Sequence, residues 1–348
     1  MKLKFLVIIA FLSVISCKQE QKKSHSDAVF LSSKLNYKVE GNNLHFESGK
    51  FKYDFKSNQI PFKKVILLNS SLLGFISEIG AENTVIGVSS PEYIYSEKIN
   101  NLIKEGKIQN VGNEQKYDIE KIISLKPDAI FTNYIASFDN TYQLLKNNGI
   151  QVIFLDEYME QNPLEKTAYL KLFGKLFGKE ELAEKKYNEI EKSYNDLKKI
   201  ALKSESRPKV LANEMYGDIW YLPGGKTFTA NYIADANADY ILKNNEEEKA
   251  VTMSFEEVYA KSGQTQYWVN VGNHLSKDEL LNINPYYGKL EVFKKGKIYG
   301  VTAKEKQKSN DFFESGVVRS DLILKDYIKI FHPELLPDYK LTYMKELQ

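Results

Sequence analysis

Cysteine is almost absent from the 348 residues: Cys17 stands alone, so no disulfide can close within the chain. Arginine is nearly missing as well, with only Arg207 and Arg319 among 48 basic residues. Neither sign of charge is in excess. Lys and Arg together number 48 against 46 Asp and Glu, a formal charge of +2, which leaves no nucleic-acid footprint. No apolar run is long enough to span a bilayer: residues 5–15 give eleven positions, about 16 Å of helix where roughly 30 Å is needed. The four histidines (His25, His45, His274 and His332) lack the short spacings of a metal cage. Neither G-x-S-x-G nor H-E-x-x-H occurs, which removes two common catalytic signatures, and no enzyme is expected. The run Gly224-Gly225-Lys226-Thr227 imitates a phosphate loop. The glycine such a loop needs five positions before Gly225 is Trp220, so a turn that opens a helix is the better reading.

What is present begins with an export signal. Lys2 and Lys4 form a basic start, the apolar run follows, and Val14-Ile15-Ser16-Cys17 resembles a bacterial lipobox. Residues 1–17 are thus expected to be a lipoprotein signal peptide, with Cys17 lipidated and holding the protein on a membrane surface. Residues 18–60 read as a polar tether followed by a small β-hairpin. In it apolar residues alternate (Tyr37, Val39; Leu44, Phe46; Phe51, Tyr53, Phe55) around turns at Gly41 and Gly49.

Hydrophobic content of 43% with 27% charge fits a globular protein, and the length allows two domains. Residues 118–133 form a helix–strand unit. Asp118 is an N-cap, Glu120 sits in the first turn, Ile119, Ile122, Ile123 and Leu125 make an apolar face, Pro127 ends the helix, and 129–131 is a buried strand. Residues 254–270 repeat the plan, with Ser254 as cap and Glu256 in the first turn; Glu257 beside it leaves the choice of glutamate open. Strands alternate with helices through 61–162 and again from 207. Between them, 163–206 is helical without strands. Ala183, Tyr187, Ile190, Tyr194, Leu197 and Ala201 are spaced 4-3-4-3-4, one apolar stripe long enough to run from one lobe to another. The expected fold is therefore α/β: two Rossmann-like lobes with parallel sheets, an N-terminal lobe at 61–162 and a C-terminal lobe at 207–348, joined by the helical region 163–206. The tail from Leu335 looks extended and surface-bound.

Ligands of open α/β sheets bind beyond the carboxyl ends of the strands. Those loops carry Asn69, Ser70 and Ser71; Tyr93 and Tyr95; Asn133 and Tyr134; Glu157 and Tyr158; Tyr216, Trp220 and Tyr221; Asn273 and His274; and Asp311, Phe312, Phe313 and Glu314. This aromatic, mostly uncharged set suits a bulky ligand between two lobes.

The chain resembles class III substrate-binding proteins of bacterial ABC importers over about residues 62–336. The residues that carry the likeness are 119–128 (IEKIISLKPD), 221–225 (YLPGG), 254–258 (SFEEV) and 311–319 (DFFESGVVR). The resemblance implies two lobes joined by one long helix that open only slightly. It implies one glutamate on each lobe, Glu120 and Glu256, docking on arginines of an ABC permease coupled to its ATPase subunits. The ligand would be an iron–siderophore first, cobalamin or another corrinoid second, haem third, with no resident cofactor or metal. The expected ligand-binding residues are Asn69, Ser70, Tyr93, Tyr95, Tyr134, Trp220, Tyr221, Asp311, Phe312 and Arg319. Anionic siderophores usually meet several arginines, and here only Arg319 is near. An exported monomer, facing the periplasm or the cell exterior, is expected.

Overall fold

The computed structural model describes residues 28–348, so the signal sequence, Cys17 and His25 lie outside it. The N-terminal alternation forms a four-stranded antiparallel sheet from Val29–Phe30, Leu35–Glu40, Asn43–Ser48 and Phe51–Phe55. Its turns are closed by Gly41 and Gly49 at φ of 62° and 55°, a region where a side chain would be strained. Phe46 and Phe55 turn inward and join the core of the first lobe.

That lobe is a five-stranded, wholly parallel sheet. Its spatial order is Gln151–Phe154, Ala129–Thr132, Val65–Leu67, Val85–Val88, Gln109–Asn110. From Val65–Leu67 the chain builds outward in one direction and later returns to build in the other. The order therefore reverses between Val65–Leu67 and Ala129–Thr132, where loops diverge and leave a crevice. The second lobe orders Asp239–Tyr240, Lys209–Ala212, Tyr267–Val271 and Lys297–Gly300 in parallel, with Lys345–Glu346 antiparallel at the edge. A three-stranded antiparallel sheet of Met215–Tyr216, Ile219–Pro223 and Ala250–Met253 adjoins it.

The tail corrects one expectation. It is not a surface ribbon: Lys345 pairs with Gly300, and Tyr343, Met344 and Leu347 are buried. Asp326 holds it by accepting the backbone N–H groups of Thr342, Tyr343 and Met344 at 2.7–3.1 Å. The C-terminal helical stretch is two helices, Ser315–Val318 and Ser320–Phe331, broken at Arg319 with φ −87° and ψ 61°.

Two helices, Pro163–Phe177 and Glu180–Ala201, join the lobes, separated by Gly178 at φ 64°. The second has 22 residues, about 33 Å. Its stripe enters both cores: Ala183 and Ile190 join the first lobe's cluster, and Tyr194, Leu197 and Ala201 join the second's. Opening the lobes thus means bending a helix anchored at both ends. A second seam opposes it, where Leu73–Glu78 packs on Ser315–Val318 and Val318 sits in the first lobe's core. Among the described residues no helix is long and apolar enough to cross a membrane.

Candidate functional site

A cleft of about 530 Å³ lies between the lobes, at the carboxyl ends of their strands. From the first lobe it receives Asn69, Ser70 and Ser71, which follow Val65–Leu67, and Asn133, Tyr134 and Ile135, which follow Ala129–Thr132. These are the two loops at the sheet's reversal point. Asn69 Nδ2 donates to Asn133 Oδ1 across that point. Glu157 and Tyr158 come from the loop after Gln151–Phe154. The second lobe supplies Asn270 at the end of its central strand, together with Phe312 and Phe313.

The floor is polar and organised. Ser71 Oγ donates to Glu157 Oε1 at 2.8 Å and Asn133 Nδ2 to Oε2 at 3.2 Å. Glu157 is buried, and desolvation holds its carboxyl above the ordinary carboxylate range despite those donors and the nearby Lys166. Tyr134 is fixed by its hydroxyl on Asp139 Oδ2 at 3.0 Å and by Lys50 Nζ, 4.1 Å from its ring centroid. On the opposite wall the Tyr327 hydroxyl donates to Asn270 Oδ1 at 2.9 Å. The mouth is apolar, with Ile135, Tyr158 and Phe313 exposed. A cleft with rings above and a few fixed polar atoms below holds a large ligand by contact area and orients it by hydrogen bonds.

Of the residues expected to meet ligand, Asn69, Ser70, Tyr134 and Phe312 come together here. Six do not line the cleft. Trp220 is fully buried in the second lobe, its Nε1 donating to the carbonyl of Ala212 at 3.1 Å and its ring against Trp268 and Tyr287. It faces inward because Ile219–Pro223 alternates, which turns Tyr221 outward on the far side of the small antiparallel sheet. Asp311 is buried in an ion pair with Lys304 at 2.9 Å. The Arg319 guanidinium is held by Asp321, Nε to Oδ1 at 2.9 Å and Nη2 to Oδ2 at 3.0 Å. Tyr93 and Tyr95 lie against Lys308 and Lys306 at the seam beyond the cleft. His274 is likewise outside, with Nε2 on Glu214 Oε2 at 2.8 Å.

Lys166, Phe228, Thr229, Tyr232, Asn270 and Tyr327 line the cleft and were not singled out. None of them carried a local signal: Lys166 stands between Glu165 and Thr167 in the first turn of its helix, as a solvated lysine would. Among the described residues, no group of three or more His, Cys, Asp or Glu is arranged to hold a metal ion.

Glu120 and Glu256 occupy the same position, the second residue of the helices Ile119–Leu125 and Phe255–Lys261. Each helix is followed by a parallel strand of its lobe, Ala129–Thr132 and Tyr267–Val271. Both side chains are exposed. Glu257 is engaged otherwise: it closes a capping box, accepting the Ser254 N–H at 2.7 Å, and that bond lowers its pKa.

The model of a family described as periplasmic binding proteins matches residues 65–305. An uncharacterized lipoprotein of Methanocaldococcus jannaschii is 26% identical over 290 residues, covering 81% of this chain and 68% of its own length. The Vibrio cholerae periplasmic haem-binding protein HutB superposes with a TM-score of 0.61 at 17% identity, over 78% of this chain and 99% of its own. CeuE of Helicobacter pylori, solved as a complex with Ni and His, gives 0.63 at 16% identity, over 85% and 90%. Likeness at these identities is one of fold, and the shared fold is the two-lobed one.

Proposed function

Because this chain belongs to the periplasmic binding protein family, the substrate-binding components of ABC importers, we propose that it captures an iron–siderophore-type chelate in the interlobe cleft and delivers it to a permease. The observation that carries the reading is the cleft itself. It lies at the reversal point of the first sheet, draws rings from both lobes and keeps its fixed polar atoms at the floor. Asn69, Ser70, Tyr134 and Phe312 are its proposed ligand contacts, joined by Tyr158 and Phe313. Glu120 and Glu256 are the proposed permease contacts.

Binding proteins of this fold take haem in Vibrio cholerae and a nickel–histidine complex in Helicobacter pylori. A metal held by an organic chelator is the common chemistry, and it matches a cleft with far more ring surface than charge. Haem or a corrinoid in the same cleft is the second reading. Tyr158, exposed at the mouth, is of a residue type that ligates haem iron. The lipobox at Cys17 and the lipoprotein relative support a lipid-anchored, exported protein. Titration of residues 28–348 with a neutral ferric trihydroxamate, haemin and cobalamin, read by fluorescence quenching, tests the proposal. Micromolar or tighter binding of the hydroxamate is expected, and binding of none of the three would overturn it.

A further inference from the structure

Lys166 sits in the first turn of Pro163–Phe177 and lines the cleft. Only 8% of it is exposed. Its Nζ lies 3.9 Å from the centroid of the Phe228 ring, an attractive contact for a cation but one that accepts no conventional hydrogen bond. Among the described residues no carboxylate forms an ion pair or hydrogen bond with it. Glu157 and Glu160 act on it only at longer range. Both have other partners: Glu157 takes Ser71 and Asn133, and Glu160 takes the hydroxyls of Ser32, Ser33 and Tyr169 at 2.5–3.0 Å.

A buried ammonium has three N–H donors, and leaving them without an acceptor is unfavourable. The two nearby carboxylates are held away from it by their own hydrogen bonds. The free N–H donors of the cleft are therefore the cation's, and water or a ligand entering the cleft accepts from them.

We propose that Lys166 is the specificity-determining cation of the cleft, receiving one acidic group of a ligand whose remaining body is aromatic or apolar. The acidic group would be a carboxylate or an ionised hydroxyl oxygen. The body would lie against Phe228, Tyr232, Phe312 and Phe313. A second acidic group would have no partner and would face Glu157, so the site selects one such group over several. A ligand amine is disfavoured, because both Glu157 oxygens already accept bonds. Burial draws the Lys166 pKa down to about 8, which leaves it mainly protonated at neutral pH. The inference rests on the receptor reading of the same cleft and adds the chemistry of what it selects: an iron chelate with one free acidic group should bind more tightly than the uncharged trihydroxamate.

The test uses residues 28–348 and two probes on one skeleton, 1-anilinonaphthalene-8-sulfonate and its uncharged parent N-phenyl-1-naphthylamine. Wild type is expected to prefer the sulfonate. Lys166→Met should weaken the sulfonate about tenfold to a hundredfold, the range for losing one hydrogen bond to a charged group, and change the parent less than about twofold. Lys166→Arg should keep the preference. Because methionine leaves Glu157 beside an apolar chain, Lys166→Met with Glu157→Gln is measured as well and should show the same split. Equal effects on both probes, no effect on either, or no sulfonate preference in wild type would each overturn the proposal. Haemin titrated alongside, with the ferric trihydroxamate and cobalamin, reads the receptor function separately. A probe preference that survives while no chelate binds would sink the receptor reading alone.

Discussion

At the scale of single residues, Glu314 shows how a side chain can tie the lobes. It belongs to the second half of the chain, yet its carboxylate accepts the N–H of Tyr95 at 2.8 Å and of Ser96 at 3.2 Å from the first lobe. Burial raises its pKa to about 7, Asp311 adds to the shift, and the two N–H donors oppose it. A folded pKa above the unfolded one means the native state holds the proton more tightly. The resulting stability is complete below about pH 4.5 and is lost as pH rises through about 7, at most on the order of 3 kcal/mol. Glu314→Gln should remove that part of the slope, so wild type and variant should diverge in urea-melt midpoints between pH 5 and 8. Parallel profiles would mean the group does not titrate there. Trp220 and Tyr221 make a second residue-scale contrast. Trp220→Ala should cost about 3–5 kcal/mol, as for other buried tryptophans, whereas Tyr221→Ala should stay within about 0.5 kcal/mol. Thermal melts separate the two. Period-2 alternation announced that one of this pair faces inward but not which, because the answer depends on Trp268 and Tyr287, 48 and more positions away. Lys166 was hidden for the same reason, since Phe228 and Glu157 reach it only through the fold.

At the scale of elements, the helix pair and the seam decide how far the lobes can part. Gly74 lies where Leu73–Glu78 meets the Ser315–Val318 segment, and a Cβ there would stand 2.3 Å from the carbonyl oxygen of Glu314. Backbone cannot step aside as a side-chain tip can, so Gly74→Ala should destabilise by roughly 1–3 kcal/mol, the usual cost of overpacking. Gly263→Ala, with nothing within 4 Å of its Cβ, is the control and should leave the melting temperature nearly unchanged. Equal melting temperatures for the two variants would mean the seam has room for a methyl group at Gly74. Elements with local signals were legible in the sequence. The caps at Asp118 and Ser254 and the stripe of the long helix depend on neighbours within a few positions. The stripe implied a helix reaching both lobes, but which of its residues enter which core was not legible, nor was the edge strand Lys345–Glu346, which is too short to carry a pattern and follows residues 342–344 held by Asp326.

At the scale of the whole molecule, the proposed docking would use both lobes as one surface. A helix anchored in both cores fixes their separation, and the Glu314 seam limits the angle between them. On the docking proposed above, Glu120 and Glu256 would keep a similar spacing with the cleft filled or empty. That suits recognition by a rigid partner, since little conformational freedom is lost on docking. The capping box favours Glu256 over Glu257 as the proposed contact, because the Glu257 carboxylate is already turned back to Ser254. The double reversal Glu120→Lys with Glu256→Lys should leave chelate affinity within about twofold, since neither residue lines the cleft. Uptake by cells carrying the cognate permease should fall by well over tenfold, as expected when like charges replace paired ones at an interface. Glu257→Gln should leave uptake intact. Uptake that survives the double reversal would point to a binding protein that works without this docking mode. Loss of affinity in the same variant would instead mean the cleft and the rim are coupled, and that the lobes move more than their shared helix allows.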